Sequence, residues 1–171
     1  FVDINIERQK FIFDGMMGTC AGAMAAFDLS LALIRKINGV TVALDVASIF
    51  LSGTDTPQQF ISNAVCRIPM VQKTLEIMHA NIEDTLTIPD IAYDLGVSAK
   101  QLHRLFIKDL QQSPSGVYRN IRLSFGRHLL QTTQKPVQEI VLRSGYQNLS
   151  AFSRAFKVRF NQTPSQYRNH F

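Results

Sequence analysis

What this 171-residue chain has little of narrows its class before any motif is read. Its two cysteines, Cys20 and Cys66, make neither a disulfide framework nor a pair at metal-binding spacing. The four histidines, His79, His103, His128 and His170, are scattered, with no two at zinc-site spacing. No metal and no cofactor is therefore expected, and the thiol usage fits a reduced, cytoplasmic setting. No apolar run approaches the roughly 20 residues that cross a bilayer, so no membrane partner is expected. The chain has no initiator Met, and its opening FVDINIERQK alternates like a strand, with mixed charge unlike a secretory signal. It reads as a fragment of a longer protein. Acid is scarce toward the end: from Leu110 onward Glu139 is the sole Asp or Glu, against nine Lys or Arg.

What is present fits a packed globular protein, one ordinary domain or two small ones, with 46% hydrophobic residues. Charge is divided. Residues 1–65 carry a net −2 and residues 66–171 a net +7. A basic half joined to a slightly acidic one points to a polyanion partner, although a solvated basic surface would look the same.

Two short strands are expected at Phe1–Ile6 and Lys10–Phe13, then a Gly/Met loop and a helix starting near Thr19 and ending at Asn38-Gly39. A further helix is expected over about Val40–Leu51, followed by a polar linker, 52–67. From Ile68 the pattern is helical to the end. Pro69 opens a helix to about Asn81, Ile88–Leu95 forms a second and Ser98–Leu110 a third. Pro114 opens a long helix to about 132, Pro136 opens one that stops at Gly145, and Leu149–Phe160 precedes a short last helix after Thr163-Pro164.

Within this half one unit occurs twice. Gly96 matches Gly145 at an offset of 49, and Leu102, Arg104, Phe106 and Pro114 match Phe152, Arg154, Phe156 and Pro164 at an offset of 50. In the first copy Ile91, Leu95, Val97, Leu102 and Leu105 are apolar, with small Ala92 and turn-forming Gly96 between them. That is helix-turn-helix spacing: the small residue lets two helices approach, and glycine takes the left-handed conformation of the turn. The second copy keeps Ile140, Gly145, Tyr146 and Phe152, but Val141 replaces the small residue and Ser144 an apolar one. A connecting helix of about 18 residues is near 27 Å long. Two second helices held that far apart suit successive major-groove segments of B-DNA, whose turn is about 34 Å, without dimerisation.

QLHRLF, SPSGVYRNIRL, RHLL, GYQNLSAFSRAFKVRF and TPSQYR resemble the C-terminal DNA-binding domain of AraC/XylS-family transcription regulators, over about 68–171. Gln111 and Asn161 stand where that family usually has glycine after the recognition helices, so the turn after the first is expected to be looser. Gly126 stands where the family favours alanine, at an expected cost of about 1 kcal/mol. The resemblance implies a mainly α fold, with helix-turn-helix units at about 88–110 and 136–160 joined by a connecting helix, about 114–132. Residues 1–51, including FVDINIERQKFIFDGMMGTCAGAMAAFDLSLALI, resemble the end of a DJ-1/PfpI (class I glutamine amidotransferase-like) sensor domain: a short β-hairpin plus helices, the tail of a truncated α/β domain.

On the first recognition helix Leu102, Leu105, Phe106 and Leu110 form the expected buried set, leaving Lys100, His103 and Arg104 outward with Gln101 beside them. The family's base-contacting positions fall on Lys100, His103 and Arg104, and Arg or Lys can pair with guanine O6/N7. His103 is equally a solvent-facing residue, and Arg104 a phosphate contact. On the second helix Phe152, Ala155, Phe156 and Phe160 form the core stripe, and Leu149, Ser150, Ser153 and Arg154 point outward, with Asn148 at the entry. Leu149 suits either a thymine methyl or ordinary packing. Arg119, Arg122, Arg127, Lys157 and Arg159 are phosphate candidates.

GTCAG, residues 18–22, spells a nucleophile elbow around Cys20. A catalytic elbow needs a buried preceding strand, a base and walls that exclude water, and 65 residues with two strands do not supply them. Cys20 is expected as a small buried residue at a helix start, and no catalytic residue is assigned. The expected function is thus a sequence-specific DNA-binding transcription regulator, with activation the expected mode and repression left open. Its expected partners are promoter DNA and RNA polymerase, with homodimerisation through the missing or N-terminal region. A small-molecule effector, amino-acid-like or a quaternary amine in similar subgroups, would sit in the absent part of the sensor. The alternatives are a hydrolase fragment using Cys20 and an interaction module that keeps the fold without sequence specificity.

Overall fold

Most helix starts in this chain are written as a hydroxyl or amide side chain followed by a helix-permitting residue, and each takes up a backbone N–H that the first turn leaves unpaired. The computed structural model describes residues 11–15, 17–40, 42–43, 46–47, 66 and 68–169. The expected strand at Phe1–Ile6, most of the expected helix at Val40–Leu51 and nearly all of the linker 52–67 lie outside them; residues 40, 42–43 and 46–47 are helical.

The chain is first seen as a hairpin of β1 (Phe11–Asp14) and β2 (Met17–Cys20), antiparallel, with Phe11 opposite Cys20 and Asp14 opposite Met17. The turn passes through Gly15 at φ 58°. Helix α1 (Ala23–Asn38) follows. Thr19 is therefore not its cap: it is paired with Ile12 in the hairpin, which commits its backbone to the sheet, and Gly22 occupies the cap position instead. Cys20 is exposed rather than buried, because it ends a strand three residues before the helix begins.

The helical part consists of α2 (Pro69–Ala80), α3 (Ile88–Asp94), α4 (Ala99–Leu110), α5 (Pro114–Thr132), α6 (Val137–Arg143), α7 (Leu149–Phe160) and α8 (Pro164–Arg168). Thr87 and Asp90 close a capping box on α3, and Thr163 and Gln166 do the same on α8. Ser98, Ser113 and Asn148 accept from the N–H groups of Gln101, Gly116 and Ala151 at 3.1, 3.1 and 2.8 Å. Both recognition helices, α4 and α7, end on a left-handed residue, Gln111 at φ 56° and Asn161 at φ 59°. Gln111 thus closes its helix in the same left-handed conformation as Asn161.

Two apolar cores share α5. Val117, Tyr118 and Ile121 join a core with Val71, Leu75 and Met78 of α2, Ile91 and Ala92 of α3, and Leu102, Phe106 and Leu110 of α4. Leu123 and Leu130 join Ile140, Val141, Phe152 and Phe156 in the second. The fully buried Phe106, Phe152 and Phe156 each contribute about 2–3 kcal/mol by leaving water. Leu31 of α1, Ala43 and Ala47 are buried in the first core, so the N-terminal segment packs directly on the first helix-turn-helix.

Gly126 has a packing reason. A Cβ there would stand 2.7 Å from Ser144 Oγ and 2.8 Å from Phe152 Cζ, so the bare backbone lets α5 meet α6 and α7. The helix propensity lost at Gly126 is offset by this close approach, and buried Ser144 is satisfied by donating to the Ile140 carbonyl at 2.7 Å.

Candidate nucleic-acid interface

The two helix-turn-helix units use the same turn. Gly96 (φ 68°) donates to the Tyr93 carbonyl and Val97 to that of Ala92; Gly145 (φ 71°) donates to Leu142 and Tyr146 to Val141. These paired bonds close a helix end on a left-handed residue. From Gly96 to the cap Ser98 is two residues, from Gly145 to Asn148 three, so the insertion between the repeats lies in the second turn, before the recognition helix.

On α4, Leu102, Phe106 and Leu110 are buried, Leu105 is half-buried, and Lys100, Gln101, His103 and Arg104 are exposed. Lys100, Arg104 and Lys108 stand four residues apart, one above the other, beside an open depression that they line with His103 and Ile107. Lys108 is a further outward cation of this helix, signalled in the sequence by its spacing of four from Arg104. On α7, Leu149, Ser150, Arg154 and Lys157 are exposed and Ser153 is half-buried, with Phe152 and Phe156 inward and Ala155 and Phe160 half-buried. A second depression between α5 and α7 brings Arg119, Arg154 and Arg159 together.

The phosphate candidates occupy different settings. Arg119 and Lys157 are exposed. Arg127 and Arg159 are half-buried and lie over the Phe160 ring, at 4.8 and 5.2 Å from its centre. Arg122 turns inward: Nε donates to the Ser144 carbonyl at 2.9 Å, Nη2 to the Gly145 carbonyl at 2.5 Å, and its guanidinium lies 4.4 Å from the Tyr146 ring centre. Glu139, the sole acid from Leu110 onward, is bonded by Lys135 at 2.5 Å and Arg143 at 3.1 Å. The hydrogen bond from Lys135, before any other cause, holds its carboxyl below the usual range.

A family model described as a helix-turn-helix domain matches residues 76–170, more than half of the chain. A solved transcriptional regulator from Chromobacterium violaceum, described by its AraC-type DNA-binding domain, superposes with a TM-score of 0.58 at 40% identity, over 60% of this chain and 91% of that one. The chain belongs to the AraC-type helix-turn-helix family. The HTH-type transcriptional regulator CdhR of Pseudomonas aeruginosa is 33% identical over 98% of this chain and 52% of its own length. The regulatory protein SoxS of Salmonella typhimurium is 32% identical over 58% of this chain and 94% of its own length. The chain spans about half the length of CdhR-like relatives.

Besides Lys108, the AraC-type domain carries a second feature to which the sequence alone gives no role. Asp109, on the buried stripe of α4, accepts from the Ile68 N–H at 3.0 Å, and Arg35 of α1 reaches both its carboxylate, at 3.5 Å, and its carbonyl, at 2.5 Å. The sequence signal was its place in the stripe, three residues after Phe106 and seven after Leu102. Beside this pair burial first, then the Asp109 charge, pushes the Cys66 thiol up to about 12, which leaves it protonated and unreactive. Cys20 stands apart on the exposed hairpin, and among the described residues no three His, Cys, Asp or Glu side chains gather where they could hold a metal.

Proposed function

We propose that this chain is a sequence-specific DNA-binding transcription regulator that lays α4 and α7 into successive major-groove segments of a promoter. The observation that carries the reading is the pair of recognition helices on one shared rod, α5, whose 19 residues span about 28 Å. Lys100, His103 and Arg104 read bases from α4, and Leu149, Ser150, Ser153 and Arg154 from α7. Arg119 and Lys157 contact phosphates, with Lys108, Arg127 and Arg159 at the edges of the same surface. The hydrolase alternative gains no support, since exposed Cys20 lacks the walls that would exclude water.

Residues 1–51 read as the end of a DJ-1/PfpI-like sensor; the hairpin followed by α1, and the CdhR likeness over nearly the whole chain, support that reading. The effector, RNA polymerase contact and dimerisation belong to the same proposal. The solved Chromobacterium violaceum regulator, described by its AraC-type DNA-binding domain and matched over 91% of its length by 60% of this chain, supports treating the helical part as sufficient for DNA.

The test is bind-and-sequence selection on a random DNA library at about physiological salt. Two short boxes centred about 10 base pairs apart are expected. Arg104→Ala should relax preference within one box and Arg154→Ala within the other, by about 1–3 kcal/mol each. Uniform weakening on all sequences would instead favour the module that has kept the fold without specificity.

A further inference from the structure

We propose that Arg122 is a positioning residue that fixes the distance and phase between the two recognition helices, and so sets the spacing of the two DNA boxes. This rests on the two-helix reading above.

Three pieces of the molecule meet at the turn that this side chain holds. Arg122 belongs to α5, the rod on which both units are mounted. Its two nitrogens hold the Ser144 and Gly145 carbonyls, and its guanidinium stacks on Tyr146; these three consecutive residues form the turn that leads into α7. Asn148, the cap of α7, lies three residues beyond Gly145, so whatever orients the turn also aims the helix. The third piece is the loop between α2 and α3. A Cβ on Gly145 would fall 2.3 Å from the Ile82 carbonyl oxygen and 2.4 Å from Thr85 Oγ1, which puts the second turn against the segment that introduces the first unit. One turn of α5 before Arg122, the Tyr118 hydroxyl donates to the Asn81 carbonyl and ties the same loop to the rod. The Arg122 guanidinium also lies 6.0 Å from the Tyr118 ring centre.

The clamp is asymmetric. Gly96, the counterpart of Gly145, has nothing within 4 Å of where a Cβ would be. The first unit is held through its apolar core, and the second is held in addition at its turn, where a side chain with two fixed donors constrains orientation as well as distance. A guanidinium used in this way has Nε and Nη2 committed inside the protein, which separates Arg122 from the surface cations Arg119 and Lys157 that face solvent.

The experiment uses the full chain and a DNA library in which the two selected boxes are separated by spacers varied one base pair at a time. The wild type should enrich one spacing sharply. Arg122→Met should lower the discrimination against spacings one base pair longer or shorter by about tenfold, the worth of the charge-assisted bonds it removes, while the sequence of each box is kept. An unchanged spacing profile in a folded Arg122→Met protein would overturn the proposal. So would a uniform loss of affinity with a shallower salt dependence, the mark of a phosphate contact. If Arg122→Met does not fold, Arg122→Lys, which keeps the charge without the two-pronged geometry, and Tyr146→Leu, which removes the stacking surface, decide by the same criterion. Failure of the wild type to select paired boxes is a different result: the two-helix reading then fails, and this proposal with it.

Discussion

The two helix-turn-helix units are copies of one motif set in unlike surroundings. The first has an open turn at Gly96, a three-cation row on its recognition helix and a buried acid, Asp109, tied to α1. The second has a turn at Gly145 packed against Ile82, Thr85 and Arg122, one residue longer, and a recognition helix whose exposed face mixes Leu149 and Ser150 with Arg154 and Lys157. Duplication fixes the local fold of each copy. It does not fix what each copy touches, and there the roles separate: the first unit is joined to the N-terminal segment, the second to the rod.

The sharpest way to break the comparison is at the turn glycines. Gly145→Ala should destabilise by more than about 3 kcal/mol, because the methyl meets a backbone carbonyl that cannot yield and φ is positive as well. Gly96→Ala, with the same φ strain and open space, should lose about 1 kcal/mol. Urea unfolding of the two variants would show a large difference in midpoint at similar slope; equal losses would mean that the second turn is not packed as described.

A smaller effect distinguishes the first unit by pH. Burial pushes the His79 pKa on α2 down to about 4 from the usual 6.5, so the folded state holds this ring neutral. The unfolded chain takes up the proton near pH 6.5 and the folded protein only near pH 4. The stabilisation is therefore complete above about pH 6.5 and lost as pH falls toward 4, by about 2 kcal/mol after allowing for the ring's partial exposure. His79→Leu should remove that slope from the stability profile between these values.

The smallest expected effect lies at the ends of the recognition helices. Gln111→Gly should stabilise by about 0.5–1 kcal/mol, since glutamine holds a left-handed conformation that glycine adopts freely. Asn161→Gly should gain only a few tenths, because asparagine already tolerates that conformation. Thermal unfolding of both variants measures the difference.

Much of this was legible in the chain. The helix ends from Pro69 onward, the repeat, the buried stripes of α4 and α7 and the outward set Lys100, His103 and Arg104 all follow from local rules: caps, prolines, left-handed glycines and the period of the helix. Those rules act over three or four residues, so one sequence suffices to read them. The start of α1 was misplaced, because at Thr19 a capping preference competed with strand pairing to Ile12, a partner on another segment. What tertiary structure alone decided is of that second kind. Gly126 is a packing site because Ser144 and Phe152 come to it across two helices. Asp109 is a joint because Arg35 arrives from 74 positions away. Arg122 carries the same charge as Arg119 and stands three residues from it, yet one faces solvent and the other holds a turn. Helical spacing puts them on neighbouring faces of α5, and only the packing of α6 against that rod determines which of the two guanidinium groups finds carbonyl oxygens instead of water.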